Sequence, residues 1–379
     1  MPVIMPIYGT RPEAIKMAPI IAELQRTPGL ECFVTVTGQH RTMLDQVNQL
    51  FGITPDHDLN IFEPGQSLNE ILIRTISGLD KLFAVNRPDV VVVQGDTTTS
   101  TAAALAAFNC GIPVVHVEAG LRSGNPLSPF PEEGNRKITS QIASLHLAPT
   151  ETSRANLLAE NIKAENIVVT GNTVIDALLT TVQKQLPFVD PQLEALASSG
   201  RRILLVTTHR RENQGEAMQG IGRALARIAA AEPDLTIVLP IHRNPAVREA
   251  VLPYLGSAGN ILVTEPLEYG EFTRLLSLAH VILTDSGGVQ EEAPSLGKPV
   301  LVMRENTERP EAVEAGVVKL IGTDEDRIVF EVDRLLHDET HFKSLAEAIT
   351  PYGDGTAAQR SVSALKMIMI KLERHGTYL

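Results

Sequence analysis

Short apolar runs alternate with amphipathic stretches along the whole chain, and this alternation constrains the fold more than any other feature. The first half contains VIMPIYG, CFVTVTG, DVVVVQGD, PVVHVEAG, SLHLAPT and NIVVTGN, and the second half contains RILLVTTH, LTIVLPIH, NILVTEP, VILTDSGG, PVLVM and VKLIG. Runs rich in Val, Ile and Leu are typical of parallel strands that are buried on both faces. Helical patterns at Met218–Ala231 and Glu271–Leu278 lie between them. The sequence therefore predicts an α/β fold with two Rossmann-like, doubly wound domains.

The length of 379 residues is more than one hydrophobic core usually fills, which agrees with two domains. Pro187, Pro191 and Gly200 interrupt the pattern before a fresh strand begins. We predict an N-terminal domain over residues 1–175 and a C-terminal domain over residues 176–356, with a last helix at 357–379 that packs back on the N-terminal domain. In such folds the carboxyl ends of both sheets face a central cleft, so polar residues at strand ends are the functional candidates.

Composition narrows the range of partners. A net charge of −12 argues against a polyanion surface, and 4% aromatic residues with no Trp argue against base stacking, so we expect no nucleic acid partner. No apolar run approaches the ~20 residues of a membrane span, so we expect no membrane association and a cytoplasmic location. The two cysteines have no metal-type spacing, and we expect neither a metal nor a cofactor.

The first strand is followed by GTRPEAIK, which carries a helix start signal. Thr10 and Glu13 have the spacing of a capping box, and Pro12 suits the first turn. Arg11 and Lys16 then lie near the helix end that faces the cleft, where they either hold a phosphate or face water.

Acidic side chains follow three further segments of the N-terminal domain. Asp96 comes after VVVVQG, Glu118 after VVHV, and Glu132 lies in the proline-rich stretch NPLSPFPEEGNRK. Taken singly, Asp96 reads as a helix N-cap and Glu132 as part of a solvated loop. Three acidic groups on neighbouring elements of one cleft would instead indicate proton transfer.

The C-terminal domain offers basic and aromatic groups at equivalent places. His209 and Arg210 follow the strand RILLVTT, and His242 follows LTIVLPI. A histidine beside arginines at a strand end favours an acid/base or phosphate-binding role over a structural one. Phe272 either stacks on a flat base or packs in the core.

The segment TDSGGVQEEAPSLGKPV resembles a phosphate turn at a helix start. Ser286, Gly287 and Gly288 offer backbone N–H groups to an anion. Glu292 lies about one and a half turns further down, where it can accept hydrogen bonds from sugar hydroxyls. Arg309 follows the next strand as another phosphate candidate. Together these groups suit a nucleoside diphosphate with an attached sugar.

The chain resembles the bacterial non-hydrolysing UDP-N-acetylglucosamine 2-epimerases. The resemblance rests on GTRPEAIKMAP, GQHRTMLDQ, GDTTT, HVEAGLRSG, PEEGNR, GNTVIDAL, THRREN, TDSGGVQEEAPSLGKPVLVMR, TERPEAV and PYGDG, which occur in order through nearly the whole chain. It implies a glycosyltransferase-B-like pair of domains, a homodimer, and interconversion of UDP-N-acetylglucosamine and UDP-N-acetylmannosamine for polysaccharide biosynthesis. The implied route eliminates UDP across sugar carbons 1 and 2 to give a glycal and then adds UDP back.

The resemblance also implies roles for individual residues. The implied catalytic residues are Asp96, Glu118, Glu132 and His209, with Asp96 or Glu118 as base near carbon 2, Glu132 as the other acid/base group and His209 at the diphosphate or leaving oxygen. The implied UDP contacts are Arg11, Lys16, Phe272, Ser286, Gly287, Gly288, Glu292 and Arg309. A second UDP-N-acetylglucosamine as allosteric activator would meet Gln39, Gln46, Arg74, Arg210 and His242.

Four other functions are open to a chain with these features. A glycosyltransferase of the same architecture would hold the same nucleotide, and a hydrolysing 2-epimerase would release free N-acetylmannosamine. An oxidoreductase is disfavoured because neither GTRPEA nor GIGRAL has the glycine spacing of a dinucleotide site, and GIGRAL fits inside a helix. A nucleotide-sugar-binding regulator would bind UDP without turnover.

Overall fold

The computed structural model describes residues 1–256 and 258–375, with side chains to residue 370. The chain divides into two compact units, one formed by Met1–Ala177 with the chain from Tyr352 onward, the other by Leu178–Pro351. These divisions lie a few residues from the predicted 175/176 and 356/357. Residues 376–379 of the predicted last helix lie outside the described residues.

The N-terminal unit contains a parallel sheet of eight strands in the order β4-β3-β1-β5-β6-β7-β8, with β2 also paired to β1. The nearly unbroken apolar runs explain this sheet because most strand residues are buried. Its strands are β1 (Val3–Tyr8), β2 (Glu31–Cys32), β3 (Thr35–Val36), β4 (His57–Asp58), β5 (Val90–Gln94), β6 (Val114–Val117), β7 (Leu145–Ala148) and β8 (Ile167–Val169).

The C-terminal unit contains a parallel sheet of six strands in the order β11-β10-β9-β12-β13-β14. Counted within the unit this is the order 3-2-1-4-5-6 of Rossmann folds. Its strands are β9 (Arg202–Thr207), β10 (Leu235–Pro240), β11 (Ile261–Thr264), β12 (Val281–Thr284), β13 (Val300–Val302) and β14 (Val318–Leu320). The predicted fold class, two parallel-sheet α/β domains, is confirmed.

Helices connect the strands in both units. Those before β9 are α1 (Arg11–Arg26), α2 (Arg41–Phe51), α3 (Leu68–Val85), α4 (Thr98–Asn109), α5 (Glu132–Ile142), α6 (Glu151–Ala159), α7 (Thr173–Gln183) and α8 (Pro191–Ala197). Those after β9 are α9 (Glu216–Ala231), α10 (Pro245–Leu255), α11 (Tyr269–Leu278), α12 (Gly287–Glu292), α13 (Pro310–Glu314), α14 (Glu325–His337), α15 (Glu339–Ala346) and α16 (Ala357–His375). Short 3₁₀ turns lie at Ala164–Asn166, Arg211–Asn213 and Ala293–Leu296. Within the described part of the chain, the helices are too short or too polar to cross a membrane.

The last helix is attached to the N-terminal unit at its first turn. Asp176, on α7, accepts hydrogen bonds from the backbone N–H groups of Ala357 (3.2 Å) and Ala358 (2.8 Å). A carboxylate at this position satisfies donors that a helix leaves free at its start. Helix α16 then packs against α1.

Candidate active site

The predicted site residues cluster at the points where the strand order of each sheet reverses. In the N-terminal unit this point lies between β1 and β5, and in the C-terminal unit between β9 and β12. Parallel α/β sheets bind ligands at such switch points because the loops there diverge and leave a crevice. Arg11 and Asp96 follow β1 and β5, and His209 and Ser286 follow β9 and β12.

The helix start after β1 has the predicted geometry. Thr10 is the N-cap of α1 and forms a capping box with Glu13, as predicted. Glu13 is buried and also accepts a hydrogen bond from Thr97 at 2.5 Å, which ties the β1 loop to the β5 loop. Burial raises the pKa of Glu13 despite these bonds. Lys16 forms an ion pair with Glu118, whereas the half-buried Arg11 makes no side-chain hydrogen bond or ion pair with another described residue.

Glu118 lies directly after β6 in the left-handed backbone region, with φ of 61°. This conformation costs a non-glycine residue about 1–3 kcal/mol, and such strained residues are enriched at functional sites. Its carboxylate pairs with Lys16 and accepts a hydrogen bond from Asn172 at 3.0 Å. Gly95, which follows β5, has a φ of 69°, a left-handed conformation that glycine adopts without strain. The buried His116 supports the same turn through an Nε2 contact of 2.7 Å with the Gly95 carbonyl, and burial lowers its pKa to about 3.

Asp96 forms an ion pair with Arg136 and does not cap a helix. Arg136 contacts Asp96 Oδ2 through Nε (2.8 Å) and Nη2 (2.6 Å) and also reaches the buried Glu133 at 3.2 Å. Burial lowers the pKa of Arg136, but the two carboxylates outweigh it and leave the pKa raised. The N-cap of α4 is Thr97, so the structural interpretation of Asp96 as an N-cap is wrong.

Glu132 is the first residue of α5, so the alternative of a solvated loop is wrong for this position. Its neighbour Glu133 is fully buried and accepts hydrogen bonds from the backbone of Ser123 (3.0 Å) and Gly124 (3.2 Å), which anchors the preceding loop. Glu132 Oε2 is buried and receives no hydrogen bond from any described residue. A buried carboxylate oxygen without a partner is uncommon, so it is a candidate for chemistry.

In the C-terminal unit, His209 is bound to a buried carboxylate that follows β12. Its Nδ1 lies 3.1 Å from Oδ1 of Asp285, which is fully buried. Burial raises the pKa of Asp285, but the contact with His209 and backbone N–H groups outweigh it and leave the pKa lowered. The His242 ring is stacked on His209, with 5.8 Å between ring centroids.

The glycine turn after β12 lies beneath Arg309. Helix α12 begins at Gly287 with Ser286 as its N-cap, and the Ser286 side chain does not cap the helix. A Cβ at Gly287 would approach Arg309 Nη1 to 2.6 Å, so the guanidinium rests on the helix start. The Arg309 Nε donates to the buried Glu291 at 2.5 Å, and this contact accounts for the carboxylate so near a predicted anion site. A Cβ at Gly288 would have more room, because its nearest neighbour, Glu292 Oε2, would be 3.9 Å away.

Glu308 accepts hydrogen bonds or ion pairs from three arginines. Arg210 Nη2, Arg304 Nη1 and Arg309 Nη1 lie 2.9, 2.7 and 3.0 Å from its oxygens. Burial raises its pKa, but the arginines outweigh it and lower the pKa of Glu308 to about 2. Three cations around one carboxylate form a cradle that suits a phosphate group.

Glu292 and the aromatic residues of α11 lie together. Tyr269, the first residue of α11, donates its hydroxyl hydrogen to Glu292 Oε1 at 2.9 Å, and both residues are buried. Phe272 follows one turn later and is half-buried, which leaves part of its ring available to a base.

The residues predicted to bind an activator divide between the two units. In the N-terminal unit, Gln39 accepts a hydrogen bond from Thr99 at 2.7 Å, Gln46 is exposed on α2, and Arg74 on α3 pairs with Glu63. In the C-terminal unit, Arg210 and His242 both flank His209.

Five residues of these clusters were not among the predicted site residues: Arg136, Asn172, Asp285, Glu291 and Glu308. Asp285 alone carried a usable signal because an acidic residue directly follows an apolar strand. The others find their partners across the fold, such as Arg136 with Asp96 at a separation of 40 residues.

The two Rossmann-type sheets, each with ligand-type side chains at its switch point, define an α/β protein of the glycosyltransferase-B-like class. The model of the UDP-N-acetylglucosamine 2-epimerase family matches residues 22–366. The chain belongs to this family, whose members are isomerases.

Known proteins of the family cover nearly the whole chain. A UDP-N-acetylglucosamine 2-epimerase from Salmonella typhimurium is 54% identical over 97% of this chain and 100% of its own length. The crystal structure of the Neisseria meningitidis UDP-GlcNAc 2-epimerase bound to UDP-GlcNAc is 46% identical, with a TM-score of 0.85 over 96% of this chain and 100% of that one. The Methanocaldococcus jannaschii enzyme in complex with UDP-GlcNAc and UDP is 35% identical, with a TM-score of 0.76 over 96% and 99% of the two chains.

Proposed function

We propose that the chain interconverts UDP-N-acetylglucosamine and UDP-N-acetylmannosamine without hydrolysis. The proton on sugar carbon 2 is not next to a carbonyl, so its direct removal would leave an unstabilised carbanion. In the proposed route a base removes this proton while the bond from carbon 1 to oxygen breaks, and UDP leaves with the bonding electrons. The resulting glycal is protonated at carbon 2 on the other face, and UDP adds back to carbon 1.

The acidic cluster of the N-terminal unit is the observation that carries this proposal. Asp96 and Glu118 each have a cationic partner, Arg136 and Lys16. Glu118 is additionally held in a strained conformation, and Glu132 keeps a buried oxygen without a hydrogen bond from the described protein. Proton transfer on two faces of a carbon needs at least two such groups, and general acid–base catalysis of this kind supplies about 10²–10⁴-fold.

These environments suggest separate roles for the carboxylates. Asp96 or Glu118 removes the proton from carbon 2, and Glu132 acts as the other acid/base group. His209 acts on the diphosphate or the leaving oxygen, since developing negative charge on UDP needs a donor.

The groups proposed to bind UDP follow the chemistry of each part of the ligand. The diphosphate meets cations and backbone N–H groups, the ribose hydroxyls meet Glu292, and the uracil stacks on Phe272. The proposed cations and turn residues are Arg11, Lys16, Ser286, Gly287, Gly288 and Arg309. Both the meningococcal and the archaeal relatives have been solved with UDP-GlcNAc, which supports this ligand class.

We further propose that the protein acts in the cytoplasm as a homodimer and supplies a precursor of surface polysaccharide. A second UDP-N-acetylglucosamine would act as allosteric activator through Gln39, Gln46, Arg74, Arg210 and His242. His242 stacks on His209, and Arg210 shares the Asp285 carboxylate with it, which supports this part of the proposal because an activator that moved either residue would change the surroundings of His209.

The test is to identify the products formed from UDP-N-acetylglucosamine alone by NMR. We expect UDP-N-acetylmannosamine. No turnover despite UDP binding would overturn the proposal in favour of a binding protein, free N-acetylmannosamine with UDP would indicate a hydrolysing enzyme, and sugar transfer only when an acceptor is added would indicate a glycosyltransferase.

Matched variants test the acidic cluster. Glu132→Gln should lower turnover by at least about 100-fold. Glu151→Gln is the control because Glu151 likewise begins a helix of the N-terminal unit, but its side chain is 77% exposed. Equal turnover of the two variants would remove Glu132 from the catalytic set.

A further inference from the structure

Asp285 accepts hydrogen bonds from several residues of the loop that carries His209. Oδ2 accepts from Thr208 Oγ1 (2.9 Å), the backbone N–H groups of His209 (2.9 Å) and Arg210 (3.0 Å), and Asn213 Nδ2 (3.1 Å). Because the carboxylate is fully buried, these bonds fix the loop against β12 in a setting where an unmet donor is costly.

The other oxygen of Asp285, Oδ1, lies 3.1 Å from the backbone N of His209 and also faces the His209 ring. Nδ1 of His209 lies 3.1 Å from Oδ1. An ionised carboxylate only accepts hydrogen bonds, so Nδ1 must carry a proton and Nε2 is left for other partners. Stacking on His242 restrains the ring plane as well. The His209 side chain is nevertheless 40% exposed, so a ligand can reach it.

We propose that Asp285 is a positioning residue for the reaction, which holds Nδ1–H of His209 toward its carboxylate, so that Nε2 faces the ligand and can carry the second ring proton that it donates to the leaving diphosphate. The inference rests on the proposed function for its catalytic meaning. The tautomer itself is a property of the folded protein and can be measured without turnover.

Asp285→Asn is the informative substitution because an amide has one accepting oxygen and one NH₂ donor. Four donors converge on the Oδ2 side, so the amide oxygen should take that side. The NH₂ group then faces His209 Nδ1, which can meet it only as an acceptor. The ring proton would move to Nε2, and a second proton on Nδ1 would face the amide hydrogens, so the ring would lose the doubly protonated form that donates to the diphosphate while bound to residue 285.

The experiment is ¹⁵N NMR of histidine-labelled protein, with His209→Gln to assign the resonance by its loss. We expect His209 to be the Nδ1–H tautomer in the unmodified protein and the Nε2–H tautomer in Asp285→Asn. We expect kcat of Asp285→Asn to fall by at least about 100-fold with KM changed only a few-fold. In the His209→Gln background the same substitution should lower kcat by less than about 10-fold, since Asp285 acts through the histidine.

Asp176→Asn is the matched control, since Asp176 is also a buried carboxylate that accepts backbone hydrogen bonds but lies in the other unit. It should leave the His209 tautomer unchanged. An Nε2–H tautomer in the unmodified protein would overturn the inference, and this measurement decides the matter even if Asp285→Asn does not fold. An unchanged kcat in a folded Asp285→Asn variant would also overturn it. Absence of epimerase activity in the unmodified protein would instead overturn the proposed function, while the tautomer would still report on the Asp285–His209 contact.

Discussion

The two adjacent glycines at the start of α12 should respond in opposite ways to alanine. At Gly287 a Cβ would lie 2.6 Å from Arg309 Nη1, 2.9 Å from Arg309 Cζ and 3.2 Å from Glu308 Oε1. Ordinary contacts of this kind are about 3.5–4.0 Å, so the guanidinium must move by about 1 Å. That movement strains its bonds with the buried Glu291 and with Glu308.

Gly288→Ala is the matched control because the nearest atom to its Cβ, Glu292 Oε2, is 3.9 Å away. Both variants gain the same helical preference of alanine, about 0.5–1 kcal/mol over glycine. The difference between them is therefore the cost of overpacking, about 1–3 kcal/mol. For a domain of this size that is a difference of about 2–12 °C in Tm.

Thermal and urea unfolding of the full chain without ligand measure this difference. Gly288→Ala should be at least as stable as the unmodified protein, and Gly287→Ala the less stable of the two variants. Equal stability, or the reverse order, would show that Arg309 does not rest on the helix start and would refute the reasoning.

Three other substitutions test the electrostatics of the two units. Glu160 has a pKa lowered to about 2 by hydrogen bonds from an arginine, so its contribution to stability is complete above its ordinary pKa of 4.5 and is lost as pH falls toward 2. The free energy of unfolding should therefore fall less steeply between pH 4.5 and 2 for Glu160→Gln than for the exposed control Glu339→Gln. Glu308→Gln should bind UDP several-fold more tightly by calorimetry, since the carboxylate competes for three arginines, and weaker binding than in Glu305→Gln would contradict this. Glu118→Gln should fold and bind UDP yet barely exchange the carbon 2 proton, and near-normal exchange would remove Glu118 from the catalytic set.

The local signals in the sequence predicted the fold well. Each apolar run corresponds to a strand, the Thr10 capping box is present, and GIGRAL lies inside α9 as predicted. Such features depend on residues within a few positions of one another, so hydrophobic period and capping chemistry are sufficient to find them. The last helix likewise begins at Ala357, the predicted residue.

The side-chain partners within the candidate site could not be predicted in the same way. Asp285 and His209 are 76 residues apart in sequence, and only the pairing of β9 with β12 brings them together. The loop expected at Glu132 overlooked a local helix-start signal, since Pro131 is the N-cap of α5 and two acidic residues, Glu132 and Glu133, occupy its first turn. The carboxylate of Glu291 faces Arg309 because the loop that carries the arginine returns over α12.

Incorporation of solvent hydrogen tests the proposed reaction most directly. The full chain is incubated with UDP-N-acetylglucosamine in D₂O, with no nicotinamide or metal added, and the products are analysed by NMR and mass spectrometry. Removal of the carbon 2 proton and its return from a solvent-exchanging acid predict deuterium at carbon 2 of UDP-N-acetylmannosamine and, with time, of the remaining substrate. Epimer that retains only protium at carbon 2 would contradict the account.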